Sequence, residues 1–221
     1  MYIPSFNSFT DRQEIVGFMQ RYSFATIVTA VNGIPEATHL PFLVKQENGK
    51  VFLLSHFAKA NPQWKQIIGN ISLVIFTEPH AYISPKNYEK EENVPTWNYI
   101  AVHAYGKAII LEEEEKKAEL LKHTIEYYDA GYLQQWDKLD DHYKSKMMKG
   151  IVAFEIEVTD LQAKKKLSQN RSELEQKNII GTLGQSTDTN EKQIAEYMRG
   201  LEEPRSKSQE ARTKIGALKA D

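Results

Sequence analysis

Apolar residues recur along this chain with two different periods, and each change of period marks a new element. Ile15, Val16, Phe18 and Met19 cluster on one helical face, and Thr10 with Gln13 makes a capping-box pattern, so a helix is predicted over about Asp11 to Tyr22. Three β-rich runs follow, FATIVTA (24–30), EATHLPFLV (36–44) and KVFLLSHF (50–57), separated by Asn32-Gly33 and Asn48-Gly49. Both residues of an Asn-Gly pair tolerate the positive φ of a type I′ turn, so these runs predict hairpins in an antiparallel meander. Pro41 implies a bulge or a sheet edge, because proline cannot donate to a ladder.

Further along, Asn61 is predicted to cap, and Pro62 to open, a short helix that stops at Gly69. ISLVIF (71–76) is apolar throughout and predicts a central strand buried on both faces. The polar segment KNYEKEEN is expected to be an exposed or mobile loop, leading to a strand from about Trp97 to Leu111 interrupted by Gly106. Glu112 to Ala130 reads as a helix with an acidic first turn, a stripe of Ala118, Leu121, Ile125 and Tyr128, and a stop at Gly131. A second helix carries Leu133, Trp136, Leu139, Tyr143 and Met147 and ends at Gly150. In IVAFEIEV (151–158), Val152, Phe154, Ile156 and Val158 alternate with polar positions, which predicts a half-buried strand. Two short helices, near 170–179 and 189–201, close the pattern. Many antiparallel strands, one inserted helical pair and terminal helices predict a mainly β, α+β fold: a barrel with helical decoration. The expected division is a barrel domain over 1–182 that includes the pair at 112–150, a helical appendage at 183–203 and a flexible tail at 204–221.

Composition narrows the chemistry. The 221 residues are 41% hydrophobic and contain no cysteine, which excludes disulfides, thiolate metal sites and cysteine nucleophiles. A net charge of −2 leaves no overall electrostatic footprint for nucleic acid. The start of the chain lacks a signal-peptide pattern and no apolar run is long enough to cross a bilayer, so a cytoplasmic location away from the membrane is expected. The six histidines, at 39, 56, 80, 103, 123 and 142, lack ligand spacing, and GxSxG, HExxH, P-loop and GxGxxG motifs are missing. No metal site is expected, a hydrolase is disfavoured, and no catalytic residue is assigned.

Four segments carry candidate binding chemistry. In SHFAKANPQW, Ser55 and His56 end a strand and lead to Lys59 and a helix start at Asn61, an arrangement of hydroxyl, imidazole, ammonium and backbone N–H groups suited to an anion. The plain alternative is a capped helix beside an exposed lysine. Thr38 and His39 share a strand, where a histidine is more often structural. In VPTWNYIAVHAYG, period two puts Trp97, Tyr99 and His103 on one face and Asn98 on the other, so the strand could line a flat heteroaromatic ligand or simply pack in the core. KLSQNR places Lys166, Ser168, Gln169, Asn170 and Arg171 at a strand-to-helix junction, more donors than a helix cap requires.

Taken in order, MYIPSF, THLPFL, SHFAKANPQW, AYISPKNY, VPTWNYIAVHAYG and KLSQNR resemble the Pai-type FMN-binding negative transcriptional regulators over about residues 1–182. The resemblance implies an FMN-binding split β-barrel with cofactor sites at a homodimer interface. It implies that the flavin phosphate is held by Ser55, His56 and Lys59, that Trp97 and Asn98 face the flavin ring, and that Lys166 to Arg171 approach from the partner subunit. Direct repression would need DNA contact through Lys164 to Lys166 or through the basic stretch after Pro204. The alternatives are a flavin-dependent oxidoreductase using a nicotinamide donor and, ranked below it, a haem-binding barrel with His39, His56 or His103 on iron.

Overall fold

The computed structural model describes residues 1–202, and the expected tail at 204–221 lies outside them. The described residues group into two compact units, one of Met1–Ile3, Ser8–Thr77 and Ala101–Lys164, the other of Pro4–Asn7, Glu78–Ile100 and 165–202. The terminal helices thus group with residues 78–100.

In the first unit, α1 (Arg12–Arg21) buries Ile15, Val16, Phe18 and Met19 as its period requires. Its cap is Asp11 rather than Thr10: the Asp11 carboxylate accepts from the N–H groups of Gln13 at 2.9 Å and Glu14 at 3.1 Å, which an acidic side chain at a helix N-terminus does well. Both Asn-Gly pairs make the expected turns, with φ of 53° and 77° at Asn32 and Gly33 and of 50° and 76° at Asn48 and Gly49. They close the hairpins β1 (Phe24–Val31) with β2 (Ile34–Pro41) and β3 (Leu43–Glu47) with β4 (Lys50–Ala58).

The expected meander is corrected at Pro41. The run 36–44 is two strands, and they lie at opposite ends of a seven-stranded antiparallel sheet of order β2-β1-β5-β6-β7-β4-β3, where β5 is Ile71–Ile83, β6 is Thr96–Ile110 and β7 is Ile151–Lys166. Only Phe42 separates the two edges in sequence, so the sheet must curl round as a barrel does. Phe42 is fully buried and packs edge-on against Phe76 and Phe154, with ring centroids 6.0 and 6.2 Å away, while Phe57 stacks on Phe154 at 5.1 Å. This aromatic cluster fills the interior.

β5 also departs from expectation. Ser72, Val74 and Phe76 are buried whereas Ile71 is 60% exposed, so one face is covered and not two. The inserted helices are α3 (Glu114–Asp129), α4 (Leu133–Lys138) and α5 (Asp141–Met148). The chain does not stop at Gly131 but passes through a 3-10 turn, Ala130–Tyr132, and the single second helix expected there is split in two. The split falls at Leu139, which is extended, and Asp140 then caps α5 by accepting from the Tyr143 N–H at 3.1 Å. α3 buries Leu120 with Leu43, Leu54 and Ala153 instead of the whole predicted stripe.

In the second unit, α6 (Glu173–Gly184) and α7 (Thr189–Glu202) pack through Ile179, Ile180, Leu183, Ile194, Ala195 and Met198. The segment expected to be loose is anchored instead. Asn87 and Tyr88 are buried, the Thr182 hydroxyl meets the Asn87 side-chain oxygen at 2.7 Å, and the Glu89 N–H donates to Glu175 at 3.1 Å. No helix of the described residues is long and apolar enough to cross a membrane.

Candidate functional site

The site residues predicted from sequence fall into two sets, one in each unit. In the first, the period of two along β4 puts Ser55 on one face with Leu53 and Phe57 and His56 on the other with Leu54. The Ser55 hydroxyl is 2% exposed and donates to the Pro41 carbonyl at 2.7 Å, so its proton stitches β4 to the end of β2. Burial holds the His56 imidazole below its ordinary pKa, which leaves it neutral at neutral pH with one N–H to donate. Lys59 is exposed, and its ammonium has no hydrogen bond or ion pair among the described residues. Its backbone is fixed at both ends: its N–H donates to Gly150 at 2.8 Å and its carbonyl accepts from the Trp64 indole at 3.1 Å.

Asn61 and Thr38 are brought together by a buried glutamine that sequence reasoning missed. α2 is only four residues long, Gln63–Gln66, and Gln63 is fully buried at its start. The Gln63 amide donates to the Ile27 carbonyl, the Thr29 hydroxyl and the Glu36 carbonyl at 3.0 to 3.2 Å. Thr38 donates to the Gln63 side-chain oxygen, and Asn61 donates to the Thr38 hydroxyl at 2.9 Å while accepting the Gln63 N–H at 2.9 Å. The polar groups expected at a phosphate-binding helix start therefore satisfy one another. His39, on the outer face of the same hairpin, pairs with the Thr26 hydroxyl at 2.8 Å. Nothing in the residue pattern marks Gln63, since its role depends on three carbonyl or hydroxyl oxygens contributed from a distant hairpin.

The second set surrounds the beginning of β6. Trp97 is 52% exposed and has two ring neighbours on β5, His80 at 5.9 Å and Tyr82 at 5.8 Å. His80 and Tyr82 escaped the sequence reading because the strand was ended at Phe76, whereas β5 continues to Ile83. Asn98 faces the other way and is fully buried: its side-chain oxygen accepts from Ser168 at 3.0 Å and its amide meets the Met198 sulfur at 3.6 Å.

The surplus donors of KLSQNR are likewise engaged. The Lys166 ammonium donates to the Trp97 carbonyl at 2.6 Å and to the Thr96 hydroxyl. Gln169 closes its own loop, accepting from the Leu167 N–H at 2.7 Å and donating to the Lys165 carbonyl at 2.6 Å. Arg171 donates to Asn93 at 2.9 Å and lies 3.8 Å from the Tyr88 ring centroid. The chemistry this leaves open is a free ammonium at Lys59 with a neutral imidazole on the same strand end, and separately a half-exposed aromatic face at Trp97, Tyr82 and His80. A cation and an N–H donor suit a phosphate, and an aromatic face suits a planar heterocycle.

Comparison with known proteins agrees with a flavin site. The family model described as "Putative FMN-binding domain" matches residues 1–160. The Bacillus subtilis protein named Protease synthase and sporulation protein PAI 2 is 45% identical over 202 residues, covering 90% of this chain and 96% of its own. An uncharacterized protein of Emericella nidulans is 32% identical over 184 residues, covering 66% of this chain and 73% of its own. Among solved structures, the flavocytochrome Anf3 from Azotobacter vinelandii aligns with a TM-score of 0.58 at 16% identity over 74% of this chain and 72% of its own. A protein from Mycobacterium smegmatis that binds FAD and heme aligns with a TM-score of 0.56 at 14% identity, over 72% and 73%. These alignments identify the fold as that of flavin-binding split-barrel proteins.

Proposed function

Since the chain belongs to the family of FMN-binding domains and has FMN as its cofactor, we propose that it is an FMN-binding negative transcriptional regulator of the Pai type, working as a homodimer. The observation that carries the regulatory reading is the 45% identity that extends over 96% of the Bacillus subtilis PAI 2 protein. Bound FMN supplies reversible electron and hydride acceptance, and the protein supplies binding and orientation.

In this reading a flavin phosphate is held at the end of β4 by the Lys59 ammonium with the neutral His56 imidazole donating; the second unit separately offers Trp97 as a stacking surface for a flavin ring. Ser55, Thr38 and Asn61 shape the phosphate end from behind, since their hydroxyl and amide groups are occupied within the protein. A charge-assisted hydrogen bond contributes about 1.5–3 kcal/mol, so Lys59→Ala should weaken FMN binding at least about tenfold in a fluorescence titration. Its melting temperature should stay near that of the wild type, because the ammonium has no hydrogen bond or ion pair among the described residues. Wild-type affinity in this variant would show the phosphate assignment to be wrong.

Direct DNA contact through Lys164 to Lys166 has less support, because Lys164 donates to the Tyr2 carbonyl at 3.3 Å and Lys166 to Trp97. A gel shift on the protein's own promoter region, with and without FMN and across a salt series, tests the repressor reading. Loss of all salt-sensitive binding at micromolar protein would eliminate direct repression. The oxidoreductase reading draws on the half-exposed Trp97 face, which a second planar molecule could also use. Stopped-flow mixing with NADH or NADPH decides it: bleaching of the oxidised flavin band supports an enzyme, and an unchanged band removes that reading.

A further inference from the structure

Lys166, Ser168 and Arg171 each direct a donor at the stretch 88–98. An ammonium has three N–H groups, and Lys166 directs two of them at oxygens at the root of Trp97: its own carbonyl at 2.6 Å and the neighbouring Thr96 hydroxyl. One residue further on, the Ser168 hydroxyl holds Asn98 at 3.0 Å, with Ser168 itself at a φ of 60°. That left-handed backbone is uncommon for a residue other than glycine and turns the hydroxyl back onto the strand. Arg171 completes the brace at the other end, donating to Asn93 at 2.9 Å and stacking on Tyr88 at 3.8 Å. Trp97 therefore stands 52% exposed on a strand start whose polar groups are pinned from behind at residues 93, 96, 97 and 98.

We infer that Lys166 is a positioning residue for the Trp97 face, acting on the main chain beneath the indole and not on the flavin phosphate. The inference rests on the reading of Trp97 as the surface against which the flavin ring stacks. A lysine on the phosphate would favour FMN over riboflavin, which lacks that group. A lysine that orients the ring platform affects both ligands alike, because both carry the same isoalloxazine ring. The two roles thus differ in ligand selectivity as well as in affinity.

The experiment measures FMN and riboflavin dissociation constants for the full chain by flavin fluorescence, together with the visible circular dichroism of the bound flavin and the melting temperature. The variants are Lys166→Met, Lys166→Arg, Trp97→Ala and the double variant Lys166→Met with Trp97→Ala. Loss of a charge-assisted hydrogen bond corresponds to about a tenfold effect. Lys166→Met is expected to weaken both ligands by about that same factor and to change the bound flavin's dichroism. Lys166→Arg, which keeps a donor at this place, should restore much of both, and the double variant should be no weaker than Trp97→Ala alone. Selective loss of FMN in Lys166→Met would overturn the inference and make Lys166 a phosphate ligand. Unchanged binding in Lys166→Met while Trp97→Ala weakens both ligands would also overturn it. If Trp97→Ala itself binds both ligands as the wild type does, the stacking reading fails first, which separates the two failures. Should Lys166→Met not fold, the comparison of Lys166→Arg with wild type on both ligands carries the same discrimination.

Discussion

At the scale of single residues, the most consequential side chain is one that carries no recognisable signal. Gln63 is a fully buried amide, and its oxygen and nitrogen together meet Thr38, Ile27, Thr29 and Glu36. A buried polar group left without its partner costs about 1–3 kcal/mol, and Gln63→Leu strands more than one at once. We expect Gln63→Leu to lower unfolding stability by about 3 kcal/mol in urea titration, and to disturb the β4–α2 corner next to Lys59 as a consequence. His56 gives a second test at this scale. Its folded pKa lies below the unfolded value of 6.5 because burial disfavours the charged ring. Above that value both states are neutral and the residue contributes no pH dependence. As pH falls below it the unfolded chain takes up a proton before the folded one, so stability declines with acidification until the folded pKa is passed. Replacement by a neutral side chain, His56→Gln, should flatten the part of the stability profile below about pH 6.5, measured by denaturant midpoints in steps of pH. His103 is shifted in the same direction by burial, so part of the acid slope should persist in that variant.

At the scale of elements, the turns were legible because they are local. Asn-Gly requires positive φ at two adjacent residues whatever surrounds it, and both pairs adopt it. The α1 cap lies one residue beyond the expected Thr10, since Thr10 and Asp11 are both competent and the choice depends on where the chain enters the helix. β6 runs through Gly106 without the interruption expected there, and what requires glycine at this position is steric. A Cβ at Gly106 would lie 2.2 Å from the Glu157 carbonyl oxygen and 2.6 Å from the Ile156 side chain, closer than any real contact. The neighbouring strand's backbone, and not a movable side chain, is the obstacle. Gly106→Ala should therefore cost about 3 kcal/mol or more by overpacking, visible as a lowered denaturation midpoint, whereas alanine at Gly181, which has open space, should be close to neutral or stabilising.

At the scale of the whole molecule, the first unit leaves one face of its sheet incompletely covered. Register pairs Thr26 with Ile75 and Val28 with Leu73, which places these residues on one face with Phe24, and Phe24 is 69% exposed. A half-covered apolar sheet face of this kind is what a second copy would cover. The native protein should then scatter as a particle of about twice the 25.4 kDa chain mass, and Phe24→Glu should shift it toward the monomer with little effect on the fold, since the position is already exposed. A wild-type protein that is monomeric at tens of micromolar would remove the homodimer from the proposed function. By itself, the sequence determined the hairpin turns, the mainly β class and the family likeness, because each follows from local pattern or local backbone preference. Tertiary structure alone decided that Pro41 and Phe42 send the chain from one sheet edge to the other. It also turned Lys166, Ser168 and Arg171 inward against 93–98 and buried Asn98 while leaving Trp97 open. Those outcomes depend on which distant oxygen a donor meets and which face a strand turns to its neighbour, and a linear chain does not carry that information in any single segment.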